Sequence, residues 1–329
     1  MKKFLVLILT FALIGAAQAQ EITPEATPDV TVEVTPEATP ESTGETTPPA
    51  RRISAPGYYT VRANSGGVSR SFLLSVPISY FNGEGAAPVV FALHGAGGDG
   101  ANYETYAGWG DLSEQERIVM VYPDGVDGQW NDGRPGALYD DAAFIRGIVD
   151  ALGEILTVDL DRVYATGYSM GGMMALRLAC LLPNTFAGAA SIASTMPQYI
   201  ISDCDGTAPK PVIFLVGTDD FVIPWMGVRN AYLDAMGSAS YWSEHNNCQF
   251  IGPQDALPDE DVGDGTRVIR QNFSNCEGGA SVAFYGIFGG GHTVPGSEFP
   301  GAFAAGAISH DIHAAAEIWA FFESVNDGE

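Results

Sequence analysis

The sequence predicts an α/β protein with a mostly parallel central sheet and helices on both faces. Two runs, 88–94 (PVVFALH) and 117–122 (RIVMVY), are almost continuously apolar, as in strands buried on both sides. Residues 141–156 repeat apolar side chains at helical spacing: Ile145, Ile148, Val149, Leu152 and Ile155. Strands alternating with helices of this kind imply a parallel sheet covered on both faces. With 329 residues, 46% of them apolar and 11% aromatic, the chain can build a large core, which excludes a wholly disordered protein.

The elements follow in order. Residues 1–19 carry Lys2 and Lys3, then a short apolar stretch, then Ala17-Gln18-Ala19. This is the pattern of a secretory signal peptide cleaved after about Ala19. It is the one apolar run that approaches membrane length, so a mature chain with no membrane span is expected. Residues 20–50 hold seven acidic residues, eight Thr and six Pro but no basic residue. Such a stretch cannot bury enough apolar surface to offset its chain entropy, and it reads as a disordered, extended linker. Residues 51–329 show neither a repeat nor an internal boundary and read as one domain.

Within that domain, 58–63 and 70–76 read as antiparallel strands joined by a Ser-Gly-Gly turn. Asp140 or Asp141 can cap the helix over 141–156. A strand at 162–168 and a helix at 170–182 come next. Strands at 188–193 and 211–217, a helix at 228–244, a strand at 281–288 and a helix at 308–325 complete the domain. In the last helix Ile312, Ala315, Trp319 and Phe322 share a face. The net charge of −25, from 15 basic and 40 acidic residues, repels a phosphate backbone and excludes nucleic acid as an expected partner.

Gly167-Tyr168-Ser169-Met170-Gly171 fits G-x-S-x-G and sits between a predicted buried strand and a predicted helix. In that setting the serine occupies a tight turn that exposes its hydroxyl above the sheet, with the helix N-terminus favouring developing negative charge. A serine nucleophile needs a base, and the base needs an orienting group. Of five histidines, His292 lies in Gly-Gly-Gly-His-Thr between the last predicted strand and the last helix, which suits a base on a loop. His310 and His313 read as residues at the start of that helix. The acid should lie between serine and histidine after another strand, where Asp219 and Asp220 compete. The chain order Ser, Asp, His is that of the α/β-hydrolases. An oxyanion hole would take the N–H of Met170 and one from the His94-Gly95-Ala96-Gly97-Gly98 loop, most naturally Ala96.

Several segments carry a resemblance: LHGAGG at 93–98, VYPDG at 121–125, WNDGR at 130–134, RVYATGYSMGGMMALRLAC at 162–180, GTDDFVIP at 217–224, LPDEDVGDGTRV at 257–268 and GGGHTVPG at 289–296. On these the chain resembles the secreted esterase family of the α/β-hydrolase superfamily that includes polyhydroxybutyrate depolymerases and feruloyl or acetylxylan esterases. The resemblance places Asp220 on the family's acid. It implies a secreted serine esterase acting on carboxylic esters, including polymeric ones such as polyesters or plant polysaccharides. A serine mechanism needs no cofactor or metal, and none is expected. Trp225 stands where the family commonly has Tyr, and Val294 where it commonly has Trp, so the substrate pocket is expected to differ. Rival readings are a peptidase on the same fold and a catalytically idle extracellular binding module.

Four cysteines in a secreted chain suggest two disulfides, with three possible pairings. The resemblance implies Cys180–Cys204 and Cys248–Cys276. The five acids between 255 and 264 lack EF-hand spacing and read as a solvated loop. Trp130 and Trp225 are candidate substrate-binding aromatics.

Overall fold

The structure, a computed structural model, describes residues 33–36, 52–298 and 305–326. Its strands are β1 (Glu33–Pro36), β2 (Gly57–Ser65), β3 (Val68–Val76), β4 (Ala87–Leu93), β5 (Val119–Pro123), β6 (Val158–Tyr168), β7 (Gly188–Ile192), β8 (Val212–Gly217), β9 (Phe250–Ala256), β10 (Arg267–Ser274) and β11 (Val282–Phe288). Its helices are α1 (Ile78–Asn82), α2 (Gly100–Ala107), α3 (Gly110–Glu116), α4 (Asp141–Ile155), α5 (Met170–Leu181), α6 (Ala235–His245) and α7 (Ala314–Asn326).

All eleven strands form one sheet in the order β1-β2-β3-β5-β4-β6-β7-β8-β11-β10-β9. The six strands from β5 to β11 in that order are parallel, and antiparallel ribbons flank them at both ends. The β2–β3 hairpin closes through Gly66 and Gly67, whose positive φ values of 58° and 77° suit a two-residue turn matched to the strand twist. Along β4 the side chains alternate. Val89, Phe91 and Leu93 pack with Phe144, Ile145 and Ile148 of α4 and Leu178 of α5. Val90 and Ala92 join the core of Tyr103 in α2 and Ile318 and Trp319 in α7 on the opposite face. Both faces are buried, at about 1.5–3 kcal/mol for each large apolar side chain, so β4 reads as an unbroken apolar run.

The connectivity fixes where a site can form. The chain leaves β4 toward β5 on one side, and leaves β6 toward β7 on the other. Connections that depart in opposite directions from adjacent parallel strands open a crevice at their carboxyl ends. The 94–98 loop and Ser169 both lie there.

Several boundaries depart from expectation. The helix expected at 228–244 is α6 alone, from Ala235. Before it the chain turns at Gly227 and Asn230, both with positive φ, and Val228 bridges to Tyr232. Asp234 then caps α6 by accepting from Gly237 N. The last helix starts at Ala314 rather than 308, so exposed His310 and His313 precede it. In that preceding stretch Ser309 O accepts from Gly296 N, and His310 N donates to Asp264. Helices α1, α2 and α3 and strands β9 and β10 were not expected. The acidic stretch 255–264 begins in β9 and links it to β10, and it is docked rather than free: Glu260 N and Asp261 N donate to Asp311, Thr266 Oγ1 to Ser309 Oγ, and Arg267 pairs with Asp259. Within the expected linker, Glu33–Pro36 pair antiparallel with β2. The rest of 20–50 and all of 1–19 lie outside the described residues. No described helix is long and apolar enough to cross a membrane.

Candidate active site

Ser169 occupies the turn from β6 into α5 with φ 56° and ψ −121°, a conformation that side chains rarely adopt. The neighbouring glycines make that turn possible. A Cβ on Gly171 would fall 2.1 Å from Leu93 O, and one on Gly167 would fall 2.2 Å from the Gly171 carbonyl carbon. Ser169 N donates to Ile192 O at 2.8 Å, and Ser169 O accepts from Gly172 N and Met173 N. The serine backbone is therefore held on both sides while its side chain stays partly exposed.

His292 sits on the connection from β11 to α7. Its N–H donates to Ala305 O at 2.6 Å, and its carbonyl accepts from Ala305 N and from the Tyr168 hydroxyl, the latter at 2.9 Å. The Tyr168 ring lies 5.0 Å from the imidazole, centroid to centroid. Asp220 follows β8 and is buried. One carboxylate oxygen accepts from Val222 N and Ile223 N, both at 2.8 Å, and the other lies 2.7 Å from His292 Nδ1. His292 Nε2 lies 2.9 Å from Ser169 Oγ. A carboxylate only accepts, so Nδ1 carries the proton and the Nε2 lone pair faces the serine hydroxyl. Such a line of groups can draw the proton from Ser169 as its oxygen attacks an electrophile.

Asp219 is exposed. Its carboxylate accepts from Thr218 Oγ1 and its N–H donates to Gly290 O. Folding thus brings Ser169, Asp220 and His292 together and leaves Asp219 outside. Ala96 and Met170, the expected oxyanion donors, begin the connections after β4 and β6. The two connections are in contact, since a Cβ on Gly95 would lie 3.5 Å from Ser169 Cβ.

Trp130 does not line an open cleft. It is 2% exposed, its Nε1 donates to His94 O, and its ring lies 4.7 Å from the His94 ring. It props the 94–98 loop instead. Trp225 is half-buried against Phe284 and Phe288 at 5.6 and 6.5 Å. The strap that follows Asp220 carries exposed apolar side chains, Phe221, Val222 and Met226, of which Phe221 and Met226 are the most exposed at 73% and 80%. Tyr168 and His94 also border the site. Tyr168 hides in a variable position of G-x-S-x-G, whereas His94 opens the glycine loop and is legible in the sequence, though its contacts are not.

Both expected disulfides are present, Cys180–Cys204 joining α5 to the turn after β7, and Cys248–Cys276. Among the described residues, no three His, Cys, Asp or Glu side chains are grouped to hold a metal.

Comparison with known proteins adds to this geometry. The putative esterase NocK of Nocardia uniformis subsp. tsuyamanensis is 34% identical over 233 residues, covering 65% of this chain and 67% of that protein. A probable feruloyl esterase C of Aspergillus clavatus is 30% identical over 236 residues, 69% of this chain and 77% of its own. The poly(3-hydroxyalkanoate) depolymerase C of Paucimonas lemoignei matches a shorter stretch, 36% identical over 115 residues, 32% of this chain and 28% of the depolymerase. In structure, an acetyl xylan esterase from Aspergillus awamori superposes with a TM-score of 0.53 at 17% identity, over 77% of this chain and 93% of that one, and shares the fold. No family model matches the chain.

Proposed function

The chain belongs to the esterase family of the α/β-hydrolase superfamily that includes feruloyl esterases and poly(3-hydroxyalkanoate) depolymerases, and from that premise we propose that it is a secreted enzyme cleaving carboxylic esters through Ser169, His292 and Asp220. The observation that carries the proposal is the continuous line of two short hydrogen bonds from Asp220 through His292 to Ser169.

In this reading Ser169 Oγ attacks the ester carbonyl carbon as His292 Nε2 takes the hydroxyl proton. Asp220 holds the Nδ1–H tautomer and stabilises the imidazolium that forms. The N–H groups of Ala96 and Met170 receive the oxyanion, each such donor being worth about 10²–10³ in turnover. Collapse breaks the bond to the alcohol, which leaves with the proton from His292. Water, deprotonated by the same imidazole, then releases the acid from the acyl-serine. The proposed substrates are hydroxycinnamoyl or acetyl esters of polysaccharide, or polyhydroxyalkanoate chains; the relatives named feruloyl esterase and poly(3-hydroxyalkanoate) depolymerase support the first and the last. Two closed disulfides and the leader at 1–19 support export.

The test is acid release from methyl ferulate, acetylated xylan and short-chain polyhydroxybutyrate by the parent and by Ser169→Ala. Release from at least one substrate, reduced by ~10⁴-fold or more in the variant, is the expected result. Equal release by the two proteins would overturn the assignment.

A further inference from the structure

His94 lies outside the Ser-His-Asp line, yet its surroundings are fully specified. It is fully buried at the end of β4. Its Nδ1 lies 2.7 Å from Gly95 O, and its Nε2 accepts from Gly125 N at 2.9 Å. A carbonyl oxygen cannot donate and a backbone N–H cannot accept, so the ring is neutral with its proton on Nδ1. Gly95 O accepts a second bond from Gly98 N at 3.1 Å. The plane of the peptide joining Gly95 to Ala96 is thereby pinned from its carbonyl side. In a trans peptide the N–H points opposite to the C=O. The N–H of Ala96 is therefore turned away from the buried imidazole.

The imidazole is itself held. Gly125 N comes from the turn after β5. Trp130 Nε1 donates to His94 O at 2.8 Å, and the indole covers the ring. Trp130 N also donates to the sulfur of Met170 at 3.3 Å. One buried His–Trp pair thus touches both connections that carry the expected oxyanion donors. No role in the Ser-His-Asp line requires a second histidine with this tautomer.

We propose that His94 is a positioning residue for the oxyanion hole, setting the direction of the Ala96 N–H by gripping the carbonyl of the same peptide. This rests on the esterase reading above. The imidazole touches no substrate; it acts through the peptide.

The test uses the full chain, a soluble ester such as methyl ferulate or p-nitrophenyl acetate, and a fluorophosphonate to count reactive serines. In His94→Ala, kcat per titrated serine should fall about 10²-fold, with KM changed less than about threefold, because a misdirected donor fails in the transition state while ground-state binding persists. His94→Asn places an amide N–H near the Nδ1 position but has nothing at Nε2, so it should recover about tenfold over the alanine variant. Misfolding would lower the count of titratable serines without lowering kcat per serine. A kcat per serine within about threefold of the parent in His94→Ala would overturn the proposal, as would an asparagine variant no better than alanine. A parent whose turnover does not depend on Ser169 would instead overturn the esterase mechanism, so the two failures are distinct.

Discussion

Asp219 and Asp220 are neighbours in the chain with opposite surroundings. Both lie beyond the end of β8, in the turn that follows it. That turn buries Asp220, where it meets His292 and the N–H groups of Val222 and Ile223, and leaves Asp219 in solvent with Thr218. The chain order of serine, acid and histidine limits the acid to this pair, but the choice between them depends on a contact 72 residues apart in sequence. Only the family resemblance singles out Asp220 before folding is known. Trp130 shows the converse difficulty: a lone aromatic beside a glycine loop can line a cleft or prop the loop, and burial decides for the prop. Asp220→Asn should lower kcat by about 10⁴-fold, because an amide in that place favours the wrong imidazole tautomer. Asp219→Asn should stay within about threefold of the parent. Steady-state kinetics on both variants check this, and similar losses in the two would refute Asp220 as the acid.

Helix α4 shows how two adjacent residues of one type divide their work at an element's start. Asp140 is the cap, its side chain accepting from Ala143 N at 2.9 Å. Asp141, one residue on, is buried and paired with Arg70 at 2.6 Å, and its other oxygen accepts from Asn131 N. Arg70 also donates to Asp124 O and lies over the Phe144 ring, so α4, β3 and the connection carrying Trp130 meet at one ion pair. Capping substitutions cost about 1 kcal/mol, whereas orphaning one member of a buried pair costs about 3–5 kcal/mol. In urea unfolding Asp141→Ala should therefore lose several times more stability than Asp140→Ala; equal losses would mean that the pair contributes no more than a cap. Elements with a strong apolar pattern, helical spacing in α4 and an unbroken run in β4, could be read in advance. Strand β9 could not, because most of its side chains face solvent and its sequence FIGPQDA carries both Gly and Pro. Helix α7 starts six residues later than expected because 308–313 are engaged in bonds to Gly296, Asp264 and the acidic connection.

The described domain is organised around the crevice between β4 and β6. The domain's remote parts are tied to it in series. The β9–β10 connection docks on 309–311 through Asp264, Thr266 and Asp311. The segment 305–309 in turn brackets the His292 loop, with Ala305, Ala307 and Ser309 carbonyls accepting from His292, Gly291 and Gly296. Such long-range ties have no local signature, whereas the motifs at the crevice do, since each needs glycine and a reactive side chain in fixed order. The fold also predicts how stability responds to acid. Burial lowers the affinity of His94 and of His245 for a proton, although Asp124, Asp99 and Asp141 pull His94 the other way and Asp205 does so for His245. The unfolded chain takes up those protons near pH 6.5, its ordinary value, before the folded chain does. Stability should therefore be level above about pH 7 and fall as the pH drops below 6.5, by at most about 1.4 kcal/mol per pH unit for each proton so withheld. Carboxylates titrate mainly lower, near pH 4, so the window from pH 7 to 5.5 isolates the histidines. At constant ionic strength the urea midpoint should decline across that window in the parent. The decline should be smaller in His94→Asn, measured against its own midpoint at pH 7.5, because that variant has lost the more deeply buried of the two rings. A parent midpoint that is flat or rising from pH 7 to 5.5 would show that the acidic surroundings of the two histidines outweigh their burial.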